Sequence, residues 1–193
     1  MHRYFNISGP CRPEEHYMLP AQERCQDILG LIGHKQYFVI HAARQSGKTT
    51  LLKDLTRELN TCGDYYALYC SLETQEQMAE VEQGIPAIID LLSYAVEVSN
   101  LPEGPEISSR RGVSTQLKAF LSSYCKSLDK PLVVLFDEVD CLVGKTLVSF
   151  LRQLRDGYIN RGEVPFVHSM GLAGMRDIRD LRVQVRPETE TLG

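Results

Sequence analysis

Ala42-Ala43-Arg44-Gln45-Ser46-Gly47-Lys48-Thr49-Thr50 closes a short β-prone run, Tyr37 to Ala42, and opens a segment whose leucines Leu51, Leu52, Leu55 and Leu59 share one helical face. The spacing matches G-x-x-x-x-G-K-[ST], with Ala42 standing where the first glycine is usual. A strand that enters a helix through such a loop turns successive backbone N–H groups inward. The helix N-terminus adds its positive dipole, and together they cradle a phosphate. Gly47 lets the backbone approach with no Cβ in the way. Lys48 supplies a point charge to the β- and γ-phosphates, and Thr49 a hydroxyl to Mg²⁺. The change at Ala42 is minor provided that position needs no positive φ.

Outward from the loop, strands alternate with amphipathic helices. Ahead of it, Cys25, Ile28, Leu29 and Ile32 mark a helix that Gly33 stops. Beyond it, Tyr66 to Leu72 reads as a second buried strand. Thr74 and Gln77 form a capping-box pair ahead of a helix along Met78, Val81, Ile85, Ile88 and Leu92. Gly84 and Pro86 predict a kink or a split in that helix. Ser99 to Gly112 reads as a mobile surface loop. Ser114 is placed as the cap of a helix with the face Leu117, Phe120, Leu121, Tyr124 and Leu128. Pro131 to Phe136 does not alternate, which predicts a strand buried on both faces. Val143, Leu147, Phe150, Leu151, Leu154 and Tyr158 make another helical face, and Val164 to Ala173, closed by Gly174, is the last strand. The order α-β-α-β-α-α-β-α-β implies an α/β fold of three layers, a parallel sheet with helices on both faces. Ligands of such sheets bind at the carboxyl ends of the strands. Residues 1–20 form an irregular lead-in, and residues 21–193 the core.

Composition bounds the function. The 193 residues, 43% hydrophobic and 24% charged, exclude a disordered or fibrous chain. No apolar run approaches the ~20 residues of a membrane span. Met1 to Asn6 lacks the apolar core of a secretory signal, so the expected location is the cytoplasm. A net charge of −4 confines any nucleic-acid contact to a local patch. The six cysteines include no C-x-x-C pair, which leaves a zinc ribbon or redox dithiol unsupported.

Leu132 to Phe136 runs into Asp137-Glu138-Val139-Asp140. Adjacent carboxylates at the end of an apolar strand are costly unless a cation or a water uses them. Asp137 is the candidate for holding Mg²⁺ opposite Thr49, through the ion's water shell. Glu138 is the candidate general base for an attacking water. Asp140 is read as the cap of the next helix.

With loop and carboxylates in place, the chain resembles a P-loop NTPase of the additional-strand class, nearest the AAA-like ATPases. Tyr4-Phe5-Asn6, Gly9-Pro10, Arg12-Pro13 and His16-Tyr17 are similar to bacterial AAA-like ATP-binding proteins. So are the run from Tyr37 into Arg44-Gln45-Ser46-Gly47-Lys48-Thr49, and His168-Ser169 leading to Gly174-Met175-Arg176-Asp177. The resemblance implies a sheet of core order 5-1-4-3-2, with ATP and Mg²⁺ as ligands. Lys48, Thr49, Asp137 and Glu138 are the matching residues, with Ala43, Arg44, Gln45, Ser46, Gly47 and Thr50 along the nucleotide. It also implies a protein partner or second copy of the chain, and a link to nucleic acid that rests on the resemblance alone.

Two features depart from the family pattern. Members usually end the fourth core strand on a polar residue, often Asn, Ser or Thr; here Leu172-Ala173-Gly174 ends it, and the first polar residue is Arg176. Arg176 either contacts the γ-phosphate or caps a turn. The sequence also reaches Gly193 without the helical lid of relatives. The expectation is a core truncated before the lid, its fifth strand open to question, in which binding outlasts turnover.

Tyr17 and Leu19 either stack on adenine or belong to the core. His41 and His168 are read as packed or hydrogen-bonded rather than as ligands. Arg152, Arg155, Arg161, Arg176, Arg179, Arg182 and Arg186 crowd the last third. Any of them could act as an arginine finger, but a solvated surface is the favoured reading for most, with Arg155 paired to Asp156 or another acid. Glu73 lies near the expected active edge without a specific role. The leading functional expectation is an Mg²⁺-dependent ATPase that couples its cycle to a partner. The alternatives are a phosphotransferase, against which Glu138 counts, and a nucleotide-gated module that does not hydrolyse.

Overall fold

The computed structural model describes residues 2–7, 9–20, 23, 26–75, 78–104 and 111–175. Its elements follow in the order α1 (Gln26–Gly33), β1 (Tyr37–His41), α2 (Lys48–Cys62), β2 (Tyr66–Ser71), α3 (Val81–Val98), α4 (Val113–Ser127), β3 (Leu132–Asp137), α5 (Gly144–Asn160) and β4 (Ser169–Gly174). Short 3-10 turns occupy Glu73–Gln75 and Val139–Cys141. All pairings are parallel, and the sheet order is β1-β4-β3-β2. This is the 1-4-3-2 part of the expected order, with no fifth strand among the described residues. The register sets His41 beside Gly174 and Ser71 beside Asp137, so the strands end together along one edge.

The run of β3 shows why a strand need not alternate in sequence. Val133 and Leu135 face the α1–α2 layer, packed with Ile32, Leu51, Leu52, Leu55 and Leu59. Leu132, Val134 and Phe136 face the α3–α4–α5 layer, packed with Ile88, Leu92, Leu121, Phe150 and Leu154. Both faces are apolar because both are covered. β1 departs from this expectation: Val39 is 50% exposed, since β1 is the edge of the described sheet.

Other elements correct the sequence reading. α3 is one uninterrupted helix with Pro86 inside it. Pro86 lies near the N-terminus, where its missing N–H removes only one early intrahelical bond. Gly84 does not break α3; it lets α5 approach, since a Cβ there would stand 2.4 Å from the Thr146 side chain. α3 begins at Val81, so Thr74 sits in the preceding 3-10 turn, and Gln77 lies outside the described residues. Gly112, not Ser114, stands at the N-cap of α4. The last strand starts only at Ser169, and Pro165, inside the expected run, offers no N–H to a ladder. Cys25 and residues 105–110 of the Ser99–Gly112 segment lie outside the described residues. Among the described residues no helix is long and apolar enough to cross a membrane.

Candidate nucleotide site

The loop between β1 and α2 is built on two left-handed residues, Gln45 (φ 60°) and Gly47 (φ 86°). Ala42 is not among the positive-φ residues, so alanine costs nothing where a glycine is usual. The first intrahelical bond at this end of α2 runs from the Leu51 N–H to the Gly47 carbonyl, at 2.9 Å. The Lys48, Thr49 and Thr50 N–H groups ahead of it therefore lack intrahelical acceptors, the arrangement that binds anions. Lys48, only 7% exposed, donates its ammonium to the Ala42 and Ala43 carbonyls at 2.7 and 2.9 Å. Thr50 turns its hydroxyl oxygen to the lead-in, accepting the Cys11 N–H at 3.1 Å.

Asp137 ends β3 on the face that looks toward α2 and is 1% exposed. Three donors satisfy its buried carboxylate. Thr49 donates its hydroxyl to Oδ2 at 2.6 Å, Tyr69 donates to the same oxygen at 3.0 Å, and the Glu138 N–H donates to Oδ1 at 3.0 Å. Glu138 takes φ 55° and ψ 41°, which stops the strand and starts the 3-10 turn. Burial first, then the charges of Asp137, Asp140 and Glu73, raise the Glu138 carboxyl above its ordinary value, while Lys48 opposes the shift. Glu73, which the sequence left without a role, is thus within electrostatic reach of Glu138.

Asp140 does not cap α5. Val143 stands at that N-cap, because the 3-10 turn intervenes. Instead Asp140 Oδ2 accepts the Met175 N–H at 3.2 Å, tying the turn after β3 to the end of β4. Its other oxygen is buried with no hydrogen-bond partner among the described residues, and a Cβ on Gly174 would stand 2.7 Å from it.

The remaining expected residues are scattered. Arg176, Arg179, Arg182 and Arg186 lie outside the described residues. Arg152 and Arg155 are exposed on α5, and Asp156 takes Lys118 and Asn160 as partners rather than Arg155. Arg161 reaches the Lys35 carbonyl at 2.6 Å and covers the Tyr158 ring. His168 is structural: its Nε2 is 3.0 Å from the Ile32 carbonyl. His41 is exposed at the end of β1 rather than packed. Tyr17 and Leu19 are exposed, which removes the core reading, and Tyr17 rests against Phe5 with ring centroids 5.1 Å apart. Tyr69 was missed. Its place beside Asp137 depends on the β2–β3 register, which no motif announces.

The donors fit the groups the fold implies. Thr49 and Asp137 offer hard oxygens of the kind Mg²⁺ prefers. A buried lysine and the left-handed Gly47 at a helix N-terminus suit a polyphosphate. The model of a family described as AAA domain matches residues 31–181, which contain both the loop and the carboxylates. No curated protein sequence matches the chain.

Among solved structures, the Walker-type ATPase paby2304 of Pyrococcus abyssi is similar with a TM-score of 0.60 at 13% identity, over 88% of this chain and 48% of that one. Drosophila ORC bound to poly(dA/dT) DNA and Cdc6 gives 0.52 at 11% identity, over 86% and 26% of the two chains. The Aeropyrum pernix ORC1 protein in complex with DNA gives 0.50 at 15%, over 81% and 39%. At such identities the likeness is one of fold, and this chain spans less than half the length of each. Because the family match covers most of the chain and includes the whole phosphate loop and the β3 carboxylates, the chain belongs to the AAA domain family of P-loop ATPases.

Proposed function

We propose that this chain binds ATP with Mg²⁺ and hydrolyses it. One observation supports this reading above the others: the 2.6 Å hydrogen bond from Thr49 to Asp137 joins two motifs that are 88 residues apart in the chain. The loop N–H groups of residues 43–50 and the Lys48 ammonium would hold the phosphates. Thr49 and Asp137 would hold Mg²⁺, whose chemistry here is to neutralise charge on the terminal phosphates. Glu138 accepts a proton from the attacking water, the water oxygen bonds to the γ-phosphorus, and the bond from that phosphorus to the β–γ bridging oxygen breaks to release ADP. Arg176 is proposed as a contact to the γ-phosphate.

The cycle would couple to a protein partner, a second copy or a nucleic-acid process. Two of the structural neighbours are named in complexes with DNA, which motivates adding duplex DNA to the turnover assay. A cytoplasmic site of action belongs to the same proposal. The test is ATP binding and Mg²⁺-dependent ADP release by the purified chain, beside Lys48→Ala and Glu138→Gln. The expected result is loss of binding in Lys48→Ala, and retained binding without turnover in Glu138→Gln. Acceptor-dependent ADP release would instead identify a phosphotransferase.

The second reading, a nucleotide-gated module without turnover, is favoured by the end of β4. Gly174 carries no side chain there, and Asp140 Oδ1 fills the space. Binding by the wild type with no ADP formed, unchanged in Glu138→Gln, would establish it.

A further inference from the structure

We infer that Tyr69 is a positioning residue for Asp137, holding its carboxylate in the orientation that receives the metal. The inference rests on the proposed Mg²⁺–ATP site. Three groups donate to the Asp137 carboxylate, and they differ in what else they must do. The Thr49 hydroxyl is itself a candidate metal ligand. The Glu138 N–H belongs to the turn that aims the general base. The Tyr69 hydroxyl, 3.0 Å from Oδ2 and also within hydrogen-bonding reach of the Ser71 side chain, is neither a candidate metal ligand nor part of the turn that carries Glu138.

The Tyr69 ring is fixed independently of the phosphate loop. Tyr69 pairs with Leu135 in the β2–β3 ladder and packs against the core shared with α1 and α2. Lys53 Nζ lies 5.1 Å from the ring centroid, a cation–π contact that further restrains it. The hydroxyl is therefore delivered from rigid β2, whereas Thr49 sits at the end of the loop that must accept phosphate. When Thr49 turns to a cation, Tyr69 still restrains the Asp137 carboxylate. Outer partners of this kind orient metal ligands, and their loss commonly weakens metal binding by about 10- to 100-fold.

Tyr69→Phe removes the hydroxyl and keeps the ring. Two equilibria are measured on the full chain: binding of ADP in EDTA by calorimetry, and binding of Mn²⁺ to the ADP-loaded protein by electron paramagnetic resonance. The expected result is unchanged metal-free ADP affinity, an unchanged unfolding temperature, and Mn²⁺ affinity lowered about 10-fold. Tyr69→Leu, lacking ring and hydroxyl, should lower the unfolding temperature yet give the same Mn²⁺ loss as Tyr69→Phe. Mn²⁺ affinity within about twofold of wild type in Tyr69→Phe would overturn the inference. Equal losses of ADP and Mn²⁺ binding would overturn it too, by assigning Tyr69 a purely structural role. Failure of the underlying site looks different: the wild-type protein itself would then bind neither ADP nor Mn²⁺ with ADP.

Discussion

Gly47 takes φ 86° at the start of α2, a backbone conformation that costs an L-residue about 1–2 kcal/mol. Gln45 already occupies the same region at φ 60°, so the loop holds two such residues within three positions. Gly47→Ala is expected to lower stability by about 1 kcal/mol, read from the denaturant midpoint. It should also remove nucleotide binding, because the new Cβ stands where the backbone must approach phosphate. His168 answers a different question. Burial, assisted by Lys35 and Arg161, holds its imidazole below the ordinary 6.5, although the Ile32 carbonyl accepting its N–H pulls the other way. The folded state therefore prefers the neutral ring, and the unfolded chain binds more protons below that ordinary value. The associated stability is present above pH 6.5 and is lost as pH falls through the folded value. His168→Gln should flatten the decline in urea midpoint between about pH 7.5 and about pH 5, and an unchanged slope would assign the acid sensitivity elsewhere.

α3 and α5 meet where Gly84 faces Thr146, which is fully buried and whose hydroxyl has no hydrogen-bond partner among the described residues. Thr146→Val keeps the shape and removes an unsatisfied hydroxyl, so it should raise stability by about 1 kcal/mol, seen as a higher unfolding temperature. Gly84→Ala should do the reverse by about 1–3 kcal/mol, because overpacking two helices outweighs the better helix propensity of alanine. The same contact explains where sequence reasoning failed. Gly84 and Pro86 look like helix breakers when propensity is judged locally, yet tertiary packing keeps α3 whole. β3 was legible because Leu132 to Phe136 is a short, unbroken apolar run rich in β-branched and aromatic residues, the pattern of a strand covered on both faces. The phosphate loop and Asp137-Glu138 were legible as motifs at strand ends. Tyr69 was not, since its reach to Asp137 follows from pairing β2 with β3. Asp140 was misread because a 3-10 turn, invisible to periodicity, separates it from α5.

Two cores, one on each side of a four-stranded sheet, share the strand edge that carries the site. The phosphate loop belongs to the α2 side, Asp137 to the central β3, and Asp140 reaches across to β4 through Met175. The lead-in joins from outside through Cys11 and Thr50. A ligand held at this edge therefore bridges segments that are distant in sequence. It binds the folded chain and not the unfolded one, so at 100 times its dissociation constant it should add about 2.7 kcal/mol of stability. The unfolding temperature should rise more with ATP and Mg²⁺ than with ATP in EDTA, and not at all in Lys48→Ala. The distribution of that stability is the sharper prediction. Hydrogen exchange should slow with Mg²⁺ and ATP along residues 42–52, at Tyr69 to Ser71, along residues 137–141, and in the lead-in around Cys11. Helix α4 packs on the far layer with no residue at the strand edge, so its exchange should change little. Protection centred on α4 instead would place the ligand away from the loop, and protection confined to the loop would mean that nucleotide state does not pass through Asp137 to the rest of the sheet.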